Sequence, residues 1–208
     1  MEKLYDPLPS YDDPAVQEII RAYFKENEAA RLYVDECGRR GWPFIIDHAA
    51  IRCMDVDRRA EEFLKRGFVY RGESVEYPDQ GWWAKVYRKE GYPALFIDQA
   101  YDDARGEKSI LPGWVKKFGD RVLHHCAVRV EDIEKAIAAL QKRGVEFSGS
   151  IVGGRGTRLR QIFTASEVRD GNPYTVLELT ERNGYEGFYP EQADSLMQSS
   201  VKTKSGRR

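Results

Sequence analysis

Apolar positions recur at helical spacing near the start of the chain, where Val16, Ile19, Ile20, Tyr23 and Phe24 fall along one face. Asp13 is a good N-cap and Pro14 a good first helical residue. Gly38 and the Gly41-Trp42-Pro43 run supply the stop, so one helix is predicted between them. Beyond Pro43 the period changes from helical to two. Residues 44–53 and 122–130 alternate as strands, and each strand leads into an Asp (Asp55, Asp132) placed to cap a following helix. Those helices carry Ala60, Phe63 and Leu64 in one case and Ile133, Ile137 and Leu140 in the other, and stop at Gly67 and Gly144. Further strands are expected at 82–88 and 94–98, flanking a Lys-Glu-Gly-Tyr-Pro turn. A second pair at 159–165 and 175–180 flanks Arg-Asp-Gly-Asn-Pro.

The two halves read alike because they are copies. Sliding residues 46–72 along by 77 positions lays IDHAAIRCMDVDRRAEEFLKRGFVYRG on LHHCAVRVEDIEKAIAALQKRGVEFSG without a gap, with eight of 27 positions identical. Chance would supply one or two identities, so a duplication is the better account. The predicted fold is α+β: two β-α-β-β-β modules whose curved half-sheets enclose a shared cup. The expected organisation is an N-terminal helical segment (1–43), module 1 (44–99), a linker (100–120), module 2 (121–182), and a C-terminal helix and tail (183–208). The polar, basic stretch from Ser199 to Arg208 is expected to fray.

Composition narrows the function classes. Among 208 residues there are 33 basic and 34 acidic side chains, a net charge of −1, which argues against a dedicated nucleic-acid binder and against an anionic membrane surface as partner. No run of about 18 apolar residues is present, and residues 1–13 are acidic and Pro-rich without the apolar core of a signal peptide. Cys37, Cys53 and Cys126 are dispersed and odd in number, so they read as reduced thiols of a cytoplasmic protein. The Gly153-Gly-Arg-Gly156 stretch matches neither a dinucleotide fingerprint nor a P-loop and reads as a loop.

Strand parity assigns the chemistry. His48, Ala50 and Arg52 share one face, and His125, Ala127 and Arg129 share the equivalent face of the second copy. Polar side chains separated by a small Ala describe a lined cavity rather than a core. Glu178 adds a lone carboxylate in an otherwise apolar strand, where a charge is costly unless paired or coordinated. Two imidazoles and one carboxylate from three strands match a facial triad, which holds Fe(II) and leaves positions open; Zn, Ni or Mn would also suit the donors. His124 has the opposite parity and is expected at the surface or against a helix. Trp83, Lys85 and Tyr87 share a parity and are further candidates for the cup lining. Arg52 and Arg129 fit either a salt bridge across the sheet or substrate binding.

The duplicated Asp47-His48-Ala-Ala-Ile-Arg52 and His124-His125-Cys-Ala-Val-Arg129 segments, with the late Leu177-Glu-Leu-Thr-Glu-Arg182, resemble the vicinal-oxygen-chelate superfamily of paired β-α-β-β-β modules. Arg160-Gln-Ile-Phe-Thr164, the strand ending at Arg182 and Gly187-Phe188 resemble the end of 4-hydroxyphenylpyruvate dioxygenases. Asp47-His48-Ala-Ala-Ile-Arg52, Trp83-Ala-Lys-Val-Tyr87 and Ala94-Leu-Phe-Ile97 resemble the 2-oxoadipate dioxygenase/decarboxylase (hydroxyglutarate synthase) family more closely. The resemblance implies His48, His125 and Glu178 as iron ligands, Arg52 on the substrate carboxylate, Gln161 as a polar contact near the substrate, and a helix over 187–199 closing the mouth. It implies oxidative decarboxylation of a small 2-oxo acid by O2, in a monomer or homodimer. Characterised members of the 2-oxoadipate family are considerably longer than this chain.

Two other readings compete with it. A glyoxalase- or epimerase-like lyase or isomerase holds its ion with four side chains and needs an acidic counterpart of Glu178 in the first copy. Strand alignment puts Ile97 there, with Asp98 beside it on the opposite parity; a register slip of one that turned Asp98 inward would restore this reading. A metal-free small-molecule binder of the same fold is the third reading.

Overall fold

The computed structural model describes residues 8–189, 191–192 and 195–198; the tail from Ser199 onward, and part of the expected 187–199 helix, lie outside them. Asp13 caps α1 (Pro14–Glu26) by accepting from the amides of Ala15 and Val16. The expected single helix is two. The chain breaks at Asn27, whose extended backbone ends α1 and opens α2 (Glu28–Arg40). Asn27 is fully buried; its Oδ1 accepts from the Ala30 amide at 2.8 Å and its Nδ2 donates to Thr175 Oγ1 at 3.0 Å. A buried side chain that caps one helix and ties it to a distant strand outweighs the continuity of the apolar stripe. Gly38 lies inside α2 on its exposed side, and the helix stops at Gly41 instead.

The duplication holds in three dimensions. Strand β1 (Ile46–Cys53), helix α3 (Val56–Leu64) and strands β2 (Val69–Tyr77), β3 (Trp82–Arg88) and β4 (Ala94–Ala100) form the first β-α-β-β-β unit. The linker carries α4 (Leu111–Phe118), which the sequence reading leaves unassigned although Leu111, Trp114, Val115 and Phe118 are helically spaced, with Pro112 in the first turn and Gly119 just beyond the end. The second unit is β5 (Leu123–Val130), α5 (Ile133–Gln141), β6 (Phe147–Val152), β7 (Leu159–Thr164) and β10 (Val176–Arg182), with a two-residue hairpin, β8 (Val168–Arg169) and β9 (Asn172–Pro173), before its last strand. Asp55 and Asp132 cap α3 and α5 from almost the same backbone conformation, φ/ψ −146/110 and −147/104. The glycines that end the two turns, Gly67 and Gly144, have φ of 86 and 87, a region that only glycine enters freely. Gly153 to Gly156 form the β6–β7 loop.

All eight long strands join one sheet in the order β2-β3-β4-β1-β5-β10-β7-β6. The units meet along the antiparallel β1–β5 pair, each flanked by a parallel partner, β4 and β10. One face of the sheet packs Ile51, Ile97, Val128, Leu177 and Leu179 under the helices α1, α2, α3 and α5. Trp83, Lys85 and Tyr87 face this side as well: Tyr87 is in that core and Lys85 pairs with Asp57 of α3, so neither lines the cup. The opposite parity, Trp82, Ala84 and Val86, faces the cup together with Tyr77, Phe96 and Leu111. These large side chains fill the first unit's half of the cup. In the second unit's half Phe163 and Val176 pack with Leu196, and a cavity remains beside them. Among the described residues no helix is long and apolar enough to cross a membrane.

Asn27→Ala removes a cap and strands the Thr175 hydroxyl in the core; it is expected to destabilise the chain by about 2 kcal/mol, read as a lower urea midpoint with an unchanged m-value.

Candidate metal centre

The cup floor is set by three strands. His48 comes from β1, His125 from β5 and Glu178 from β10; β5 lies between the other two, so that Ala50 lies opposite His125, and Ala127 opposite both His48 and Glu178. Small side chains at Ala50 and Ala127 leave room above the sheet. The Nε2 atoms of His48 and His125 point at the same Glu178 oxygen, Oε2, at 3.3 and 3.6 Å. One donor atom from each of the three residues lies within 4.8 Å of the others. Ligands at 2.0–2.2 Å from an ion and at right angles to one another are roughly 3 Å apart, so the cluster is close to closing on a divalent cation.

The other Glu178 oxygen is held by the protein. Gln161 Nε2 donates to Oε1 at 2.6 Å and Thr180 Oγ1 donates to it at 2.8 Å. Glu178 is 1 % exposed. Burial drives its carboxyl toward protonation, but the facing His48 imidazole overrides this and holds it below the ordinary carboxylate range. For His48, burial favours the neutral ring, yet Glu178 and Asp47 lift its pKa to about 9. Burial dominates at His125 and drives it down to about 3. Two imidazoles sharing one buried carboxylate thus accept only one proton between them near neutral pH, and a cation is another species able to balance that charge.

The β1–β5 pair contains two irregularities that the alternation does not reveal. Asp47 is an extra residue in β1, between the Ile46–Val128 and His48–Ala127 pairs. His124 is an extra residue in β5, between the Ala50–His125 and Ile51–Leu123 pairs. Each bulge resets the pleat, so Ile46 and Leu123, two residues before a cup histidine, lie in the helix-side core. Each also turns the skipped residue inward. His124 is therefore buried against Trp114 of α4, with its Nδ1 3.1 Å from His125 Nδ1, rather than at the surface. Asp47 Oδ2 is 2.9 Å from His48 Nδ1.

The two arginines diverge. Arg129 ion-pairs with Asp47 at 2.9 Å and with Glu186 at 2.6 Å, on the rim away from the open half of the cup. Arg52 is 4 % exposed, packs its guanidinium on Trp114, and makes no ion pair among the described residues; its Nε has no hydrogen-bond partner. Burial lowers its pKa to about 10, which leaves it cationic at neutral pH. It lines a cavity of about 550 Å3, with His124, Trp114, Phe163, Tyr174 and Val176. Phe163 also touches the His125 ring, at 5.4 Å between centroids, so the cavity adjoins the donor cluster. Trp114 is a site residue that the sequence reading missed, and only the helical spacing of the linker pointed to it.

The counterpart of Glu178 in the first unit is Phe96. Phe96 pairs with Ala50 as Glu178 pairs with Ala127, so the strand alignment that gave Ile97 is off by one. Asp98 shares the cup-facing parity and pairs with Arg52, but it does not join the donor cluster. Burial raises its pKa to about 7. Over the other end of the site, Phe188 stacks its edge on His48 at 5.1 Å and meets Phe96 at 4.7 Å.

No family model matches this sequence, and no curated protein matches it in sequence. Solved structures do match. A candidate hydrolase from Shewanella frigidimarina NCIMB 400 superposes with a TM-score of 0.69 at 19% identity, over 85% of this chain and 96% of that one. A candidate glyoxalase-superfamily protein from Ralstonia eutropha JMP134 gives 0.64 at 13%, over 89% and 91%. A triple mutant of 4-hydroxymandelate synthase from Streptomyces coelicolor gives 0.63 at 20%, over 77% of this chain and 55% of that one. These likenesses are of fold: the chain shares the paired-module curved sheet of these structures.

Proposed function

We propose that the chain is an Fe(II)-dependent dioxygenase that oxidatively decarboxylates a 2-oxo acid, taking up one O2 and releasing one CO2 to leave a 2-hydroxy acid one carbon shorter. The observation that carries this reading is the apolar fourth position. Three donors converge, and Phe96 stands where a four-ligand site needs a carboxylate. Three protein ligands leave several positions of an octahedral ion for substrate and O2. Bound there, Fe(II) would supply Lewis acidity toward the oxo-acid oxygens and the electron-transfer chemistry that O2 requires.

The chain's own residues bind, orient and exclude water. Gln161 and Thr180 hold one Glu178 oxygen so that the other faces the imidazoles. Gln161 in this reading is a positioning residue, because its amide is already committed to Glu178. Arg52 is a buried cation that feels the charge of Asp98 but makes no ion pair or hydrogen bond among the described residues, and it lies beside a cavity of suitable size, so it anchors a substrate carboxylate by charge-assisted hydrogen bonds. Trp114 and Phe163 wall the cavity, and Phe188 and Phe96 cover the far side of His48, keeping bulk water from the reacting atoms. Arg129, neutralised by Asp47 and Glu186, is not assigned a substrate contact. The four-ligand lyase or isomerase reading would need Asp98 in the cluster; its register sets it beside Arg52 instead.

Glu178→Gln keeps an acceptor for Gln161 and Thr180 but replaces the ligand oxygen. It is expected to abolish retention of Fe(II) or Co(II) after dialysis, with the metal-free melting temperature little changed, as read by metal analysis beside thermal denaturation. The His48 pKa of about 9 makes metal uptake compete with a proton. Uptake at pH 7.5 should release about one proton, measured by calorimetry in buffers of different ionisation enthalpy, and the apparent affinity should fall roughly tenfold per pH unit below 9. The activity itself is tested by anaerobic loading with Fe(II) and an oxygen electrode against a panel of 2-oxo acids. Uptake should match CO2 release one to one, and Arg52→Leu should lower kcat/KM about 10–100-fold, mainly through KM. Oxygen uptake no greater than the metal-free blank with every oxo acid would sink the dioxygenase reading. Retained ligand binding without metal, unaffected by His48→Ala, would favour the binder.

A further inference from the structure

The two bulges of the β1–β5 pair are related by the internal duplication. They fall at the same place in each copy, on the residue just before the cup histidine, and they do the same thing. In each, the skipped side chain reaches the Nδ1 of the histidine that follows: Asp47 Oδ2 to His48 at 2.9 Å, His124 Nδ1 to His125 at 3.1 Å. Both histidines turn Nε2 toward Glu178 Oε2. An imidazole that ligates through Nε2 carries its proton on Nδ1, and its ring plane is set by whatever accepts that proton. A regular strand could not provide this, because successive side chains would point to opposite faces of the sheet.

From this geometry we infer that Asp47 and His124 are positioning residues of the metal centre, each accepting the Nδ1 proton of one imidazole ligand and fixing its ring. This rests on the metal reading of the site and extends it to two residues that touch no ligand atom of the cluster. The two supports differ in kind. Asp47 is an anion held in turn by Arg182, at 2.6 and 2.8 Å, and by Arg129. His124 is a single ring lodged edge-on against Trp114, with Nε2 meeting no acceptor among the described residues. With His125 donating, His124 accepts through Nδ1 and carries its own proton on Nε2. The charge on Asp47 makes His48 the more basic ligand, while His125 is oriented without added charge.

Co(II) is the probe, since its visible spectrum reports ligand geometry without turnover. His124→Leu removes the acceptor but keeps an apolar fit to Trp114; it is expected to weaken Co(II) binding about 10–100-fold and to alter the ligand-field bands. His124→Asn returns an acceptor near the Nδ1 position and is expected to recover affinity to within about threefold of wild type, a rescue that a purely structural role would not give. Asp47→Asn is expected to weaken Co(II) at least about tenfold; should the buried Arg182 left behind unfold that variant, the His124 pair still decides. A residue whose substitution leaves both affinity and spectrum as in wild type is struck from the inference. If wild type binds Co(II) and Glu178→Gln does not, such a result defeats this inference alone. If wild type binds no Co(II), the metal reading falls and takes this one with it.

Discussion

A carboxylate buried at the centre of a sheet is the constraint around which the rest is arranged. Glu178 sits between Leu177 and Leu179, whose side chains belong to the fully buried core on the other face. An ionised carboxyl in such a place carries a desolvation penalty of several kcal/mol unless its oxygens are satisfied. One oxygen is satisfied by Gln161 and Thr180, both from β7 and β10 of the same unit. The other is met only by imidazoles, one from each unit. Satisfying it therefore requires both halves of the sheet to be assembled, which makes the site a property of the β1–β5 seam and of neither module alone.

Duplication explains why the seam is symmetric, and divergence explains why the site is not. Each unit contributes a strand, a bulge, a cup histidine and an arginine four residues further on. From there the copies part. The first unit fills its half of the cup with Tyr77, Trp82, Val86 and Phe96 and adds no carboxylate to the donor cluster. The second unit supplies Glu178, and in its half Phe163 and Val176 pack with Leu196 and leave a cavity behind Trp114. The arginines diverge for the same reason. Arg129 meets Asp47 and Glu186 and is neutralised, whereas Arg52 faces the cavity and makes no ion pair among the described residues, with only the charge of Asp98 acting on it. A three-donor cluster next to an unpaired buried cation suits an anionic chelating substrate better than a closed structural ion.

Covering elements complete the enclosure without providing ligands. Helix α4, from the linker, lays Leu111 into the first unit's core and Trp114 over Arg52 and His124. Arg182 donates to the carbonyls of Tyr185 and Gly187 while bonding Asp47, so the chain that carries Phe188 over His48 is tied to the residue that supports it.

Local chemistry alone determined a good deal of this. The caps at Asp13, Asp55 and Asp132, the glycine stops, the repeat at 77 residues, and the parity that groups His48 with Arg52 and His125 with Ala127 all follow from interactions within a few residues of chain, which sequence records directly. So does the oddity of a lone glutamate in an apolar strand. Other features depend on partners far away in the chain. Asn27 breaks a helix because Thr175 is waiting for its amide, and Phe96 rather than Ile97 answers Glu178 because ladder offset is settled by the neighbouring strand. The bulges at Asp47 and His124 leave no mark on the alternation, since an extra residue is defined only by the strand opposite it. That is why sequence singled out the three side chains that converge, while the tertiary structure alone decided what stands behind each of them and which arginine lines the cavity.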